Sequence, residues 1–241
     1  MKKAYVSITG KAGKSSLVNS LEFPRMPNAT IIRLETINDS GISGCRNEQF
    51  LKGRDLDKLE TELAKVEDAI VDVGASNIEA FLLALNSQFE SHQVFDYFVV
   101  PVLARASAQI EMAEAITTLK TLATMGIEPE RIKVIFNRLP KDSSVADECK
   151  PLIALHKKSP HFTLDLNAFV YETEAFAALG AIDVAYIDMI SDPKNYRQEL
   201  NKIPIEKEKD RTAMVKWVRA QGTVRMLEKE LAFAHQALFG A

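Results

Sequence analysis

Three consecutive residues, Gly13, Lys14 and Ser15, have the types and spacing of a phosphate-binding site. They lie in the stretch SITGKAGKSSLVNSL, between an apolar run and a helix-like segment. In such a loop the backbone N–H groups surround phosphates, the lysine ammonium contacts the outer phosphates, and the serine hydroxyl suits Mg²⁺. The alternative is a simple turn between a strand and a helix. We predict a phosphate loop whose nucleotide-binding residues are Gly10, Lys11, Ala12, Gly13, Lys14, Ser15 and Ser16.

The loop departs from the strict P-loop pattern G-x-x-x-x-G-K-[ST], because Ile8 occupies the first glycine position. Gly10 lies two residues later and supplies backbone freedom nearby. The phosphates in such loops are contacted mainly by backbone N–H groups at the start of a helix. We therefore expect phosphate binding to survive the displaced glycine.

Two carboxylates follow apolar strands and are candidates for the same site. Asp72 closes the run DAIVD, which is typical of the acid that holds the magnesium shell in P-loop proteins. Glu35 closes IIRLE and is predicted to orient or deprotonate an attacking water. The alternatives are a turn or cap aspartate and an exposed glutamate at a strand end. We predict Mg²⁺ ligands at Ser15 and Asp72, the latter directly or through water, and catalytic roles for Lys14 and Glu35.

Asn137 and Arg138 follow the apolar run KVIF, at the end of the sheet where nucleotides bind in such folds. An asparagine side chain both donates to and accepts from the edge of adenine. A GTP-binding protein would need N-K-x-D here, whereas the sequence continues with Leu139 and Pro140. The D-x-x-G switch is also absent after Asp72. Adenine is therefore favoured over guanine, with Asn137 and Arg138 as further nucleotide-binding residues.

Apolar runs alternate with segments of helical period along most of the chain. The predicted strands are 3–8, 29–34, 68–73, 97–103, 133–136 and 166–171. The predicted helices are 15–21, 56–66, 77–89, 108–125, 145–156, 174–180 and 212–239, and 36–47 is predicted to be a loop. Strands that are apolar throughout indicate a mostly parallel sheet covered by helices on both faces.

The predicted fold class is therefore α/β, a P-loop NTPase three-layer sandwich with a mostly parallel sheet and a C-terminal helical appendage. The length of 241 residues suits one large domain with an appendage. We predict a P-loop domain over 1–190 and a helical extension over 191–241, because the sequence becomes charged and helical after Asp192.

Charge is distributed unevenly along the chain. The net charge is only −3, which argues against a molecule built as a polycation for nucleic acid. Residues 194–229, however, carry ten Lys/Arg and five Asp/Glu, a net of +5. The predicted helix over 212–239 has an apolar and a basic face, which could lie on a membrane or on DNA phosphates. The favoured alternative is that its apolar face packs on the domain or pairs in a dimer.

Cysteine usage and hydropathy indicate the compartment. The two cysteines, Cys45 and Cys149, lie far apart without a CxxC partner, which fits reduced thiols in a cytoplasm. No segment approaches the roughly 18–20 consecutive apolar residues of a membrane span. We therefore expect a cytoplasmic protein.

The order of these features resembles the ParA/MinD-like deviant Walker ATPases. It comprises a P-loop, an acid after the second strand, a strand ending in Asp72, a strand with Pro101 and a strand ending in Asn137 and Arg138. Within that group, GKAGKSSLVNSL followed by FPRMPNATIIRLETIN resembles the StbB-type proteins of plasmid stability and conjugation operons. The resemblance covers about residues 1–185, and PRMPNA and ETIN are its specific parts.

The resemblance implies a slow ATPase that binds ATP and Mg²⁺ and forms a nucleotide-dependent homodimer. It implies a role in plasmid stability, partition or conjugative positioning with a plasmid-encoded DNA-binding adaptor protein. Nucleoid association and direct nonspecific DNA contact are further expectations, whereas membrane contact through the C-terminal helix is not expected. By position it makes Lys14 the Walker A lysine, Ser15 the magnesium ligand, Glu35 the water-activating residue, Asp72 the Walker B acid and Asn137 the adenine reader.

Three departures from the ParA pattern keep an alternative open. The early signature lysine falls on Thr9, and Lys11 is either its catalytic substitute or a solvated lysine. Glu35 is one methylene longer than the usual aspartate, enough to displace a water by about 1 Å. Gly74 and Ala75 replace the prolines that usually follow the Walker B acid. The alternative is a non-hydrolysing nucleotide-binding adaptor in the same plasmid system; a metabolic kinase ranks last, because the arginines are scattered rather than grouped in a lid.

Overall fold

A parallel sheet forms the centre of the protein. The computed structural model describes residues 1–35, 48–52, 56–87 and 91–240. Seven strands lie within these ranges: β1 (Lys2–Tyr5), β2 (Thr30–Leu34), β3 (Glu48–Leu51), β4 (Ala69–Val73), β5 (Tyr97–Leu103), β6 (Ile132–Leu139) and β7 (Phe169–Tyr171). They form one sheet in the order β3-β2-β4-β1-β5-β6-β7, with every neighbouring pair parallel. The loop after β1 therefore leaves from the middle of the carboxyl edge, where ligands bind in such sheets.

Helices connect and cover the strands. The α-helices in the described ranges are α1 (Lys14–Leu17), α2 (Leu56–Ala64), α3 (Ile78–Ser87), α4 (Gln109–Thr124), α5 (Val145–Glu148), α6 (Lys150–Lys158), α7 (Ala175–Gly180), α8 (Tyr186–Ser191), α9 (Tyr196–Lys202) and α10 (Glu208–Phe239). A π-helix (Val18–Glu22) and a 3₁₀ turn (Phe23–Arg25) follow α1 directly. Further 3₁₀ turns lie at Ala75–Asn77, Ser91–Val94 and Pro129–Arg131.

The two faces of the sheet carry separate apolar cores, which completes a three-layer sandwich and confirms the predicted fold class. On the first face, α2, α3, α4 and α6 pack on strand residues such as Val71 and Phe98. On the second face, α1, α7, α8, α9 and α10 cover residues such as Tyr5 and Ile70. Because successive strand residues point to opposite faces, Asp72 shares the second face with Ile70.

The apolar side of α10 packs against the second face of the sheet, as the favoured alternative predicts. Its buried residues belong to the same core as β1, β2 and β4: Ala220, Val224, Leu227, Leu231, Ala234 and Leu238. Lys216, Arg219, Arg225 and Lys229 lie on the exposed side. No helix in the described ranges is both long and apolar enough to cross a membrane. The division of the chain into 1–190 and 191–241 stays a prediction.

Three of the observed strands and α-helices, β3, α8 and α9, are not among those predicted from the sequence. The strand β3 has the sequence EQFL at the edge of the sheet and is largely exposed. An edge strand of this kind lacks the continuous apolar run that marks a buried one. The predicted loop over 36–47, which includes Cys45, lies outside the described residues.

Several boundaries also differ from the predictions. The predicted helix over 15–21 is replaced by α1 and the π-helix, and Pro24 lies within the following 3₁₀ turn. The predicted helix over 145–156 is two helices that meet at Cys149, because Pro151 has no N–H to donate to the oxygen of Asp147 in a continuous helix. The strand β6 continues to Leu139, so Asn137 and Arg138 lie within it rather than after it.

A buried ionic cluster joins the π-helix, β1 and α10. Lys3 Nζ donates to Glu22 Oε2 at 2.7 Å, and the Tyr5 hydroxyl donates to Glu22 Oε1 at 2.9 Å. All three side chains are buried. The helix α10 covers the cluster with His235, whose Nε2 lies 3.9 Å from Glu22 Oε2, and with Phe239, whose ring centroid lies 3.5 Å from Lys3 Nζ. Burial lowers the pKa of Lys3, and the nearby Glu22 carboxylate partly offsets this lowering.

We expect Glu22→Gln to lower the free energy of unfolding by about 3–5 kcal/mol, because Lys3 would stay buried without its counter-ion. The double variant Lys3→Met with Glu22→Gln should lose less free energy of unfolding than the two single variants lose together, since no unpaired charge remains. Urea denaturation followed by circular dichroism measures both. Lys2→Met, on the neighbouring residue, is the control and should change the free energy by about 0.5 kcal/mol or less. Strictly additive losses would contradict a coupled pair.

Candidate functional site

The predicted phosphate loop connects β1 to α1 at the carboxyl edge of the sheet. The amino group of Lys14 lies within this loop, where Nζ donates to the backbone oxygens of Ser7 at 3.0 Å and Thr9 at 3.1 Å. Lys14 is only 6% exposed. Desolvation by burial lowers the pKa of its ammonium group, and attraction to Asp72 partly offsets this lowering. The loop thus holds a positive charge among its own carbonyl groups, at the start of a helix.

The turn at Gly13 depends on the absence of a side chain. Gly13 has φ 78°, in the left-handed region, and its carbonyl accepts the first helical hydrogen bond of α1 from Leu17 N. A Cβ at this position would lie 2.5 Å from Nδ2 of Asn137. That same Nδ2 donates to the backbone oxygen of Ala12 at 2.9 Å. The end of β6 therefore supports the loop at its tightest turn, and only glycine permits the approach.

An irregularity in β6 directs Asn137 toward the loop. The pairing of β6 with β7 shifts register between Phe136 and Leu139, and Arg138 has φ 56°. Such irregularities re-aim the neighbouring side chains. Asn137 is 7% exposed, and its Oδ1 accepts from Arg138 N at 2.9 Å. The predicted reading of adenine by Asn137 and Arg138 stays a prediction, and the contacts add a bracing role for Asn137 that the sequence analysis missed.

Asp72 forms a buried ion pair with an arginine. It lies one residue before the end of β4, in register with Arg33 of β2 on one side and Tyr5 of β1 on the other. Arg33 Nη1 donates to Asp72 Oδ2 at 2.6 Å. The two residues are 4% and 2% exposed. Since the strands are in register, the two side chains project from the same face of the sheet and meet directly.

Arg33 has two further partners on neighbouring elements. Its Nε and Nη2 donate to Glu48 Oε1 of β3 at 2.8 and 2.6 Å. Its Nη2 also donates to Asn19 Oδ1 of the π-helix at 2.7 Å. No role for Arg33 is predicted from the sequence, although a charged residue inside the apolar run ATIIRL indicates a buried charge that needs a partner. The strand order places β2 beside β4, and this brings Arg33 next to its partner Asp72.

Glu35 follows β2 directly and lies beside the segment after Asp72. Its backbone N donates to the oxygen of Leu51 at 3.0 Å. Gly74 N donates to the oxygen of Leu34 at 2.9 Å, and a Cβ on Gly74 would lie 2.7 Å from that oxygen and 3.6 Å from Glu35 Cγ. Gly74 thus allows the loop after β4 to approach the end of β2. The water-activating role of Glu35 stays a prediction.

Lys11 lies on the surface of the loop. Its side chain is 76% exposed, and Nζ lies 3.2 Å from Oε1 of Glu111 on α4 of the same chain. The backbone N of Lys11 donates to the Thr9 hydroxyl oxygen at 3.1 Å. An exposed pair of this kind contributes little to stability, so the lysine stays available for other partners. Its role as the catalytic substitute for the early lysine stays a prediction.

The structure brings the predicted site residues together at one edge of the sheet. Gly10 and Lys11 are exposed, Ala12 and Lys14 are buried, and Ser15, the second residue of α1, is half-buried. Ser16, which follows, accepts a hydrogen bond at its backbone oxygen from the Ser20 hydroxyl. Asp72 lies near the end of β4, Glu35 directly follows the neighbouring strand β2, and Asn137 reaches the loop from β6. The nucleotide-binding and metal roles of all these residues stay predictions.

Ser15 and Asp72 are the predicted Mg²⁺ ligands, the latter directly or through water. Magnesium binds carboxylate, hydroxyl and water oxygens. The Asp72 carboxylate is buried, and its Oδ2 accepts a hydrogen bond from the Arg33 guanidinium. Among the described residues, no group of three or more His, Cys, Asp or Glu could hold a metal ion. The roles of Ser15 and Asp72 as Mg²⁺ ligands, the latter directly or through water, stay predictions.

Gly13→Ala should destabilise the folded protein, because it combines a left-handed φ with a clash against Asn137. We expect a lower melting temperature, by about 2–4 °C for each kcal/mol lost. The matched control is Gly10→Ala, because a Cβ at Gly10 would make only an ordinary 3.8 Å contact with Ala75 Cβ. Differential scanning calorimetry without nucleotide compares the two. Equal shifts for the two variants would contradict the steric argument.

Asn137→Ala should weaken the binding of ATP and of GTP by the same factor, because the side chain supports the loop that both nucleotides would contact. Titration calorimetry with each nucleotide gives the ratio of the two dissociation constants. A variant that loses its preference for ATP over GTP would instead assign Asn137 to base recognition. Thr173→Ala, on the loop after β7, is the control for changes elsewhere on this edge.

Comparison with known proteins finds similarity in fold but not in sequence. No family model and no curated protein sequence matches the chain. The solved structure of the septum site-determining protein MinD from Pyrococcus horikoshii, complexed with Mg-ADP, matches with 12% identity over 94% of this chain and 98% of that chain, with a TM-score of 0.50.

Two other solved structures match over similar lengths. MinD from Aquifex aeolicus shows 11% identity over 90% of this chain and 94% of its own, with a TM-score of 0.49. A candidate plasmid partition protein from Borrelia burgdorferi, bound to AMPPNP, shows 15% identity over 94% and 97%, with a TM-score of 0.47. At such low identity the comparison with the Pyrococcus protein establishes a shared fold and nothing further.

Proposed function

We propose that this chain is an ATP-binding switch protein of the ParA/MinD type and a slow ATPase. The observation that carries the proposal is the loop between β1 and α1, which holds the buried Lys14 ammonium among its own carbonyl groups at the carboxyl edge of the central strand. A buried ammonium beside the N-terminus of a helix favours the phosphates of a nucleotide. The shared fold with a MinD protein is compatible with this function.

Binding would transfer the Lys14 ammonium from carbonyl groups to phosphate. Its present partners, the oxygens of Ser7 and Thr9, are neutral acceptors. Phosphate oxygens are charged acceptors and form stronger hydrogen bonds with an ammonium group. Backbone N–H groups of 10–15 would surround the phosphates, and the Ser15 hydroxyl would contact a Mg²⁺ ion that enters with the nucleotide. Such an ion would supply charge neutralisation on the phosphates.

Hydrolysis would depend on Glu35, which lies at the end of β2 beside Gly74. A carboxylate near the outer phosphate can orient or deprotonate an attacking water. Glutamate has a longer side chain than aspartate, and this favours slow hydrolysis of ATP. A slow rate suits a switch protein better than a metabolic enzyme. In this proposal ATP maintains one state of the protein, and hydrolysis to ADP and phosphate ends it.

The finer role is proposed from the sequence resemblance. We assign the chain to a StbB-type system of plasmid stability, partition or conjugation, in which a plasmid-encoded DNA-binding adaptor distinguishes the ATP and ADP states. Its switch would be a nucleotide-dependent homodimer in the cytoplasm, associated with the nucleoid. The exposed Lys216, Arg225 and Lys229 of α10 are compatible with direct nonspecific contact to DNA.

A second candidate function is a nucleotide-binding adaptor that neither dimerises on ATP nor hydrolyses it. One contact favours it: Lys11, the candidate for reaching across a dimer, lies beside Glu111 of its own chain. An adaptor of this kind would use the nucleotide as a structural ligand. Its surface for partners would be the same with ATP and with ADP.

Light scattering separates the two candidates. We expect the mass of the protein to double with Mg-ATP and to stay monomeric with Mg-ADP or without nucleotide. Lys14→Ala should stay monomeric in all three conditions, because it lacks the charge that binds the phosphates. Lys120→Ala, an exposed lysine on α4, should dimerise as the wild type does. A wild-type protein that binds nucleotide without a change in mass would support the adaptor, and Lys14→Ala binding Mg-ATP as tightly as wild type would contradict both candidates.

A further inference from the structure

The Arg33 guanidinium lies between two buried carboxylates, those of Asp72 and Glu48. We propose that Glu48, on the edge strand β3, is a positioning residue of the nucleotide site: it keeps the cluster that it forms with Arg33 and Asp72 net negative, so that tight binding of ATP requires a divalent cation. The inference rests on the proposed function, because it presupposes that the loop binds ATP. Glu48 is a positioning residue because its contact is with Arg33 and not with the nucleotide.

Glu48 accepts more hydrogen bonds from the guanidinium than Asp72 does. Nε and Nη2 of Arg33 both donate to Glu48 Oε1, at 2.8 and 2.6 Å, and Nη2 also donates to Asn19 Oδ1. Only Nη1 donates to Asp72, at 2.6 Å from Oδ2. Arginine does not lose its proton in a protein, so the guanidinium carries one permanent positive charge. Two carboxylates share this charge, which leaves the cluster with one net negative charge.

Solvent screens little of the charge in this cluster. The side chains of Arg33, Asp72 and Glu48 are 5%, 3% and 5% exposed. Oε2 of Glu48 is buried and has no hydrogen-bond partner among the described residues. Buried charges are screened less and interact more strongly than charges on the surface. Burial lowers the pKa of Lys14, and attraction to Asp72 opposes this lowering, so the charge of Asp72 acts on the phosphate loop.

The cluster fits a divalent cation in its charge and in its type of ligand. Magnesium in nucleotide-binding sites is usually held by one or two carboxylates together with phosphate oxygens and water. The guanidinium bonds only to Oδ2 of Asp72, so it leaves Oδ1 unoccupied. A phosphate group in the loop would add negative charge beside a cluster that is already negative. That repulsion favours binding of the nucleotide together with a divalent ion, which would supply the missing positive charge.

Glu48→Gln tests the proposal, because it makes the cluster neutral with little change in the shape of the side chain. Fluorescence anisotropy of a ribose-labelled ATP analogue gives its dissociation constant in Mg²⁺ and in EDTA. For the wild type we expect a dissociation constant about tenfold or more higher in EDTA than in Mg²⁺. In Glu48→Gln the ratio of the two constants should fall by about threefold or more, mainly through tighter binding in EDTA.

Two further variants extend the series of cluster charges. Arg33→Met leaves two carboxylates without a cation and should raise the ratio above that of the wild type. Arg33→Met with Glu48→Gln has one net negative charge, as the wild type does, and should return the ratio to about the wild-type value. Comparison of these two variants also isolates the charge of Glu48, so it decides the question if Glu48→Gln alone does not fold.

Glu128→Gln is the matched control. The Glu128 carboxylate also pairs with an arginine, Arg131 at 2.7 Å, but lies just before the first residue of β6, at the opposite edge of the sheet. The ratio of the two dissociation constants should equal that of the wild type in this variant.

The ratio distinguishes a charge effect from a structural one. If Glu48 only supported the fold, its replacement would change both dissociation constants by the same factor. An unchanged or increased ratio in Glu48→Gln would therefore overturn the proposal. A wild-type ratio near one would overturn it as well, since binding would then need no cation. Wild-type protein that binds the analogue in neither buffer would contradict the proposed function itself, so the two failures are distinguishable.

Discussion

The close approach between the phosphate loop and the end of β6 is the constraint on which the site depends. Gly13 turns the chain in the left-handed region, and the Asn137 amide occupies the space where a side chain would lie. The same amide bonds to Ala12, so two strands that are not sequence neighbours define the shape of the loop. The loop is thus organised by protein contacts before any ligand enters. A site organised in this way loses less conformational entropy on binding.

A second feature is that the buried carboxylates Glu22 and Asp72 on the second face of the sheet each bond to a cation, although Arg33 also bonds to Glu48. Glu22 is paired with Lys3 and Asp72 with Arg33. An unpaired charge in such surroundings is costly, whereas a bonded pair roughly balances its own desolvation. These pairs therefore add little net stability but make each strand register specific.

Much of the fold could be predicted because buried parallel strands are apolar throughout and carry chemical residues at their ends. The loop around Lys14 and the acid Asp72 were identified in this way. The strand β3 was not, since an exposed edge strand has no strong pattern. The partners of Arg33 and Asn137 depend on strand order and register, which bring together residues far apart in the chain. The spacing of residues in the sequence does not predict such contacts directly. An arginine in an apolar strand does indicate that a buried charge needs a partner.

The segment after the phosphate loop connects the site to α10. The π-helix and the turn that follows it provide Asn19 for Arg33, Glu22 for β1, and Arg25, whose Nη2 donates to Glu228 of α10 at 2.8 Å. One short segment therefore contacts the phosphate loop, the Asp72 pair and the C-terminal helix. A displacement of α1 on nucleotide binding would have to alter these contacts together, because they share a single rigid turn. Arg25 and Glu228 thus connect α10 directly to the segment that follows the phosphate loop.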